Sequence, residues 1–376
     1  MHVKGVKVRQ DRNVAAPQNQ GLDMTRMVRP ASGSREVASS RPTIKDVAAR
    51  CGVHPSTVSR ALSPAMKHLV ATDVAERIRA AANALGYRLN MAAKGLRTGR
   101  SGLIGVLAPD IADPGFPPVL SGIADHLNAE GYATIVVDVG SKGSEQDLVD
   151  RLIARGVDGL VLATVTLRDD VVQHCLDAAL PVVLVNRLDA AGLLPSAASD
   201  DAAGMRLAVE HLVGLGHRRI GHVAGPQHIS TGVRRRAGFE ASARDAGLSA
   251  RHMTIEIAET YTRDAGREAG LRLLARRTRP TAVVAANDLL ALGVYDALAA
   301  RNLACPSDVS VVGHNDMPFV DLVSPPLTTV RIAQRDMGEA AARLLLARIA
   351  GRGVVDEHVV LPPQLIIRGS TSALER

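Results

Sequence analysis

The chain has no tryptophan, and only seven of its 376 residues, four Tyr and three Phe, are aromatic. Its core must therefore be aliphatic, and the 46% of hydrophobic residues is ample for that. No apolar run approaches the roughly 18 residues of a membrane-spanning helix, which excludes a helical membrane protein. Residues 1–40 are polar and basic and lack the apolar stretch of a secretory signal, so a cytoplasmic protein without a membrane partner is expected. The three cysteines, Cys51, Cys175 and Cys305, are few, odd in number and far apart. They match no CxxC or zinc spacing, so reduced thiols and no metal are expected. GxSxG, a Walker loop and paired carboxylates in a clear motif are also missing, and with them the residues that would announce an enzyme or a cofactor. "HVAGPQ" and "VGHND" contain a His, but no nucleophile accompanies either at a known spacing.

Acidic residues are scarce in one part of the chain. Residues 1–101 hold 18 Lys and Arg against 6 Asp and Glu, whereas the remainder holds 27 against 32. A basic quarter on an acidic body points to a nucleic-acid module joined to something else. Residues 1–41 show no apolar periodicity and read as a disordered basic arm. Residues 42–89 carry three helical patterns. Ile44, Val47 and Ala48 form one face behind Thr43 as a cap, and Gly52 permits a turn. Val58, Ala61 and Leu62 line a second helix, and Val74, Ile78, Ala81 and Leu85 a third. Two short helices about a glycine turn, braced by a third, make a helix-turn-helix. Residues 90–101 form a short basic link.

From residue 102 the texture changes. "GLIGVLAPDI", "ATIVVDVG", "DGLVLATV", "PVVLVNRL", "RIGHVAGP", "TAVVAAND" and "DVSVVGHND" are strand-like runs separated by helical stretches such as "AGMRLAVEHLVGLGH". This alternation predicts parallel sheets covered on both faces, with too many strands for one modest sheet. Ligands of such sheets bind at the carboxyl ends of the strands.

From about Thr43 to near the C-terminus the chain resembles the LacI/GalR family of bacterial transcription regulators. The likeness rests on "TIKDVAARCGV…TVSRAL", "AAKGLRTGRSGLIGVLAPDI", "LAVEHLVGLGHRRIGHVAGP", "PTAVVAANDLLALGVYDAL", "DVSVVGHNDMPF" and "SPPLTTVR" in that order. It implies an all-α helix-turn-helix headpiece, a hinge helix, and an α/β two-lobed core similar to periplasmic sugar-binding proteins. By resemblance one lobe holds about 102–199 with 330–358, and the other 200–329 with 359–376.

The resemblance implies that the second helix enters the major groove. Pro55, Ser56 and Arg60 then face bases, Arg60 being able to fork onto guanine O6 and N7. Thr43, Thr57 and Ser59 fall at phosphate-contacting places. His54 stands where the family usually has Ser. Imidazole lacks a short oxygen acceptor, so a poorer helix cap is expected, offset in part by Pro55. His54 is also placed to touch a phosphate or base. In the hinge, Leu96 occupies the place of the minor-groove wedge, Ala93 packs nearby, and Lys94 and Arg97 reach phosphates. Gly95 weakens so short a helix by roughly 1 kcal/mol, so it is expected to fold only on DNA.

For the core, the resemblance implies a small carbohydrate-like effector held between the lobes by Asp110, Asp113, Phe116, Arg187, Thr231, Arg235, Tyr261, Asn287, Asp288 and Asn315. Asn315 replaces a common Asp, which together with Arg187 and Arg235 tilts expectation towards an anionic effector such as a sugar acid. "ADPGF" lacks the usual pair of aromatics. His217 in "LGHRRI" is expected to be structural. "LGVYDALAA" and the helix near 117–130 suit a homodimer, which demands palindromic operator DNA. The alternatives are a cytoplasmic or periplasmic small-molecule binding protein without a DNA role and an enzyme of unknown chemistry.

Overall fold

The computed structural model describes residues 42–63, 66–88, 99–140, 144–352 and 357–374. The N-terminal arm and the hinge residues Ala93, Lys94, Leu96 and Arg97 lie outside the described residues. The rest divides into two units, at 1–89 and 90–376.

The first unit holds helices α1 (Ile44–Cys51), α2 (Pro55–Leu62) and α3 (Thr72–Leu85), with a 3₁₀ turn at Lys67–Leu69. The Asp46 carboxylate reaches back to the Thr43 N–H at 2.7 Å and its hydroxyl at 2.8 Å, closing the start of α1. Those two bonds, the backbone one first, hold the Asp46 carboxyl below the usual carboxylate range. Gly52 ends α1 in the left-handed region, φ +61°, and returns its N–H to the last turn. Val47, Ala48, Val58, Ala61, Ala75, Ile78, Ala81 and Ala82 form the core of this unit. Val74 and Leu85, expected inside α3, pack only at its edge.

The second unit is built on two six-stranded sheets. The first runs β11-β5-β4-β3-β1-β2, where β1 is Leu103–Ala108, β2 Ala133–Asp138, β3 Gly159–Leu162, β4 Val182–Val185, β5 Ser196–Ser199 and β11 His358–Leu361. The second runs β12-β10-β9-β8-β6-β7, with β6 Ile220–Ala224, β7 Met253–Ile257, β8 Ala282–Ala285, β9 Ser310–Asn315, β10 Thr328–Arg331 and β12 Gln364–Ile366. Every pairing is parallel except β10 with β12. Parallel strands need crossover helices, and these cover both faces of each sheet. In the first lobe α4 (Pro117–Ala129) and α11 (Gln334–Ile349) supply one apolar layer, and α5 (Glu145–Ala154) and α6 (Asp170–Asp177) the other. In the second lobe α7 (Asp201–Gly214) and α8 (Ser230–Asp245) lie on one face, α9 (Arg263–Leu274) and α10 (Asp288–Ala300) on the opposite one. Gly122 on α4 meets the Arg335 carbonyl and Gly338 on α11 meets the Val119 carbonyl so closely that a Cβ at either would collide.

The chain passes between lobes three times: after β5, after β10 and after β11. The expected boundaries at 330 and 358 need correction. Residue 330 lies within β10 of the second sheet, and residue 358 begins β11 of the first. The boundaries therefore fall after 331 and 361, because the pairing partners of each strand, not its composition, decide its lobe. His217 is a buried structural group: its ring lies 3.0 Å from the Thr281 hydroxyl and 3.1 Å from the Ser310 hydroxyl and the Ser372 carbonyl, pinning the C-terminal segment.

Candidate functional site

Two places collect the polar groups that the sequence singles out. The first is the outer face of α2. Val58 and Ala61 point into the core, which leaves His54, Ser56 and Arg60 exposed, and Pro55, Thr57 and Ser59 half-buried. Thr43 is exposed at the start of α1, with its hydroxyl donated to Asp46. The expectation of a poor cap at His54 is corrected. Its Nδ1 accepts the Ser56 backbone N–H at 3.2 Å and lies 2.8 Å from the Ser56 hydroxyl. An imidazole nitrogen turned onto its own helix start thus does what a Ser oxygen does. Pro55 at the first helical position spends no donor.

The second place is a cleft between the lobes, at the carboxyl ends of the strands. Asp113 and Phe116 follow β1, Ala163 follows β3, and Asn186 and Arg187 follow β4. Facing them are Thr231 and Arg235 on α8, Tyr261 beyond β7, Asn287 beyond β8, and Asn315 at the end of β9. The space between these side chains is about 610 Å³ when the part open to solvent is counted. Eight of the ten expected residues meet here. Asp110 and Asp288 do not line the cleft. The Asp110 carboxylate is exposed and accepts the Ala112 N–H at 2.8 Å in a turn. Asp288 is buried beneath, accepting the Met317 N–H at 2.7 Å and the Thr329 hydroxyl at 2.5 Å. Burial pushes the Asp288 carboxyl up to about 7. Its role is to hold the turn that follows Asn315, a residue at φ +111°.

The sequence reading missed Asn186 and Gln334. Asn186 sits at φ +64°, a conformation that Asn tolerates well, and adjacency to Arg187 was the available signal. Gln334 donates to the Gly115 carbonyl at 3.1 Å across a crossing that sequence cannot place. Gly225 also escaped notice. A Cβ there would overlap the Tyr261 ring, whose hydroxyl is 3.1 Å from that of Thr231.

The charges compensate one another. Arg235 is 2% exposed; its Nε donates to Asp201 at 2.8 Å and its Nη1 to the Ala286 carbonyl at 2.6 Å. Burial opposes its charge, but Asp201, Tyr261 and Asp288 together outweigh that and raise its pKa. Arg187 donates Nη1 to the Thr164 carbonyl at 2.6 Å, and burial lowers its pKa against the pull of Tyr261, Glu145, Asp113 and Asp169. Burial likewise raises the carboxyls of Asp113 and Glu145. Carboxylates thus stand close to both arginines of the cleft.

Two bonds bridge the lobes near the cleft. The Leu188 N–H donates to the Ser230 hydroxyl and the Leu167 N–H to the His228 carbonyl, both at 2.9 Å. Ser230→Ala should remove the first and shift the closed-to-open ratio about fivefold, the worth of a hydrogen bond of about 1 kcal/mol. Hydrogen exchange at the Leu188 amide reads this directly, and unchanged protection would refute it.

Among known proteins, the family profile "Bacterial regulatory proteins, lacI family" matches residues 43–90, and "Periplasmic binding protein-like domain" matches residues 209–371. The HTH-type transcriptional regulator MalR of Streptomyces coelicolor is 36% identical over 339 residues, covering 88% of this chain and 96% of MalR. The HTH-type transcriptional repressor CytR of Escherichia coli is 31% identical over 333 residues, covering 88% and 97%. Of solved structures, the lac repressor dimer bound to operator and the anti-inducer ONPF is 29% identical, covers 89% of this chain and all of its own, and superposes with a TM-score of 0.76. The transcriptional regulator CelR–cellobiose complex is also 29% identical, covers 88% and 100%, and gives 0.66.

Proposed function

This chain belongs to the LacI family of bacterial DNA-binding transcription regulators, and we propose that it is a repressor whose operator affinity is set by a small carbohydrate in the interlobe cleft. It is a regulator and not an enzyme. The observation that carries the proposal is the meeting of eight polar and aromatic side chains from both lobes in one cleft. A ligand bridging Arg187 and Asp113 to Arg235, Asn287 and Asn315 would bind the closed form better than an open one. That differential affinity is what a regulatory effector requires. The compensated charges favour a neutral sugar over a sugar acid, since each arginine has carboxylates around it and free hydroxyls suit donors and acceptors alike. CelR holding cellobiose is in keeping with this.

On the DNA side, α2 lies in the major groove with Arg60 as the base-reading cation, and Thr43, Thr57 and Ser59 against phosphates. Leu96 wedges into the minor groove, with Ala93 beside it and Lys94 and Arg97 on phosphates. A symmetric homodimer acting in the cytoplasm reads a palindromic site, one half-site per subunit. Selection of operators from random DNA, repeated with a panel of neutral and acidic sugars, tests all of this together. Arg60→Ala should bind the selected operator about 10- to 100-fold more weakly and lose discrimination at one base pair per half-site, as loss of a bidentate guanine contact predicts. Recovery of no common sequence by the parent protein would refute the reading.

A further inference from the structure

We propose that His314 positions the side-chain amide of Asn315: it holds the amide oxygen inward, so that the cleft presents an N–H at this point and takes a sugar there by an acceptor oxygen. The inference rests on the reading of the cleft as a carbohydrate site. Neighbouring residues of a strand point to opposite faces. At the end of β9 that alternation breaks, because Asn315 stands at φ +111°. Its side-chain oxygen lies 3.1 Å from His314 Nδ1. A carboxamide oxygen can only accept, so the ring proton is on Nδ1, and in the neutral ring Nε2 is bare. The ring is fully buried, and burial together with the nearby Arg235 charge keeps it neutral.

The ring has no room to release the amide. Nε2 has no hydrogen-bond partner among the described residues and stands against Gly204, where a Cβ would come within 2.7 Å of it. Gly204 lies inside α7, where glycine costs about 1 kcal/mol against alanine, and the imidazole fills the space it leaves. With its oxygen engaged, Asn315 turns Nδ2 across the cleft, 3.7 Å from where a Cβ on Gly115 of the first lobe would stand. The polarity of this point follows. The aspartate that the family commonly has there could only accept, and would require a hydroxyl that donates. A locked amide donates instead, and pairs with a hydroxyl, ether or carbonyl oxygen. One buried histidine thereby decides which sugar atom fits.

The test uses the full-length protein with ribose, glucose, galactose and cellobiose as probes, each followed by its singly deoxyfluorinated analogues. Fluorine accepts weakly and cannot donate. At one ring position the parent should tolerate fluorine about tenfold better than Asn315→Asp, whose carboxylate loses a charge-assisted hydrogen bond there. His314→Phe should weaken the best-bound probe about fivefold, as loss of one hydrogen bond predicts. In an Asn315→Ala background the same change should cost nothing further, since His314 acts through the amide. An equal loss in both backgrounds, or equal fluorine tolerance in the parent and Asn315→Asp, would overturn the proposal. Imidazole nitrogen NMR of the sugar-free protein, assigned with whichever of His314→Phe and His314→Gln folds, reads the proton directly. A protonated Nδ1 supports the lock, and a protonated Nε2 refutes it. Binding of no probe by the parent would overturn the carbohydrate reading instead, and the ring spectrum alone would then decide the lock.

Discussion

Arg235→Met is expected to destabilise the core by about 3–5 kcal/mol and to abolish the effector response. The magnitude is that of removing one partner from a buried ion pair, which strands the other charge in a low-dielectric interior. Asp201 is the group stranded. It is 3% exposed at the start of α7, and apart from Arg235 its nearest cation is Arg234, half in solvent, at 3.5 Å. The Ala286 carbonyl loses its donor as well, just before Asn287, whose side-chain oxygen caps α10 through the Leu290 N–H at 2.8 Å. One substitution thus disturbs α7, α10 and the floor of the cleft. Arg235→Lys restores the charge but not the two-point geometry, so it should recover part of the stability and little of the response. The double variant Arg235→Met/Asp201→Leu separates the two roles. Its stability should return towards the parent, because no unpaired charge is left, while its operator complex stays blind to the sugar. Denaturant unfolding of the core and operator release by the selected sugar are the two readouts. An Arg235→Met core within about 1 kcal/mol of the parent would sink the argument.

How much of this was legible in the sequence depends on where each residue's partner lies. β1, β2, β3, β4, β6, β8 and β9 are short Val- and Ile-rich runs, and each was recognised. All but β2, a half-exposed edge strand, are buried on both faces, which leaves little choice of residue. The strands Ser196–Ser199, Met253–Ile257, Thr328–Arg331, His358–Leu361 and Gln364–Ile366 went unread. They are three to five residues long with mixed polarity, and all but Met253–Ile257 flank crossings between lobes. The cleft was legible in so far as its residues directly follow strands, since the carboxyl ends of a doubly wound sheet face its ligand. Adjacency could not say which way a side chain points. Asp288 sits one residue beyond Asn287 and yet turns under the cleft towards Thr329, while Asn287 lines it. Nor could it show that Arg235 has an acidic partner 34 residues earlier in the chain. At His54 the residue type suggested a defect. The ring orientation that makes it a cap exists only in three dimensions.

Acid should act on the core through two opposed sets of groups, and single substitutions should expose each. His222 on β6 is fully buried, with Nδ1 2.8 Å from the Val284 carbonyl, Nε2 unpartnered, and the ring stacked on Phe239 at 4.7 Å. Burial lowers its pKa to about 4. His314 on β9, also fully buried with Nε2 unpartnered, is lowered by burial and by the nearby Arg235. Both are neutral in the native state, so the unfolded chain binds more protons once pH falls below about 6.5. Their contribution to stability is complete above that pH and lost below it, at pH 5 by about 2 kcal/mol for His222. Asp288 works the other way. With its carboxyl raised to about 7, the native state keeps a proton that the unfolded state releases down to about pH 4, so acidification from 7 to 5 adds about 2 kcal/mol. The two histidines together outweigh Asp288, so the parent should lose stability over this range, less steeply than the histidines alone dictate. His222→Gln, which keeps a donor for Val284 and does not titrate, should become more stable relative to the parent as pH falls. Asp288→Asn, able to accept from Met317 and donate to Thr329, should become less stable relative to the parent over the same interval. Urea unfolding at pH 7, 6 and 5 measures both slopes, and parallel curves for the three proteins would show that neither group changes its protonation on folding.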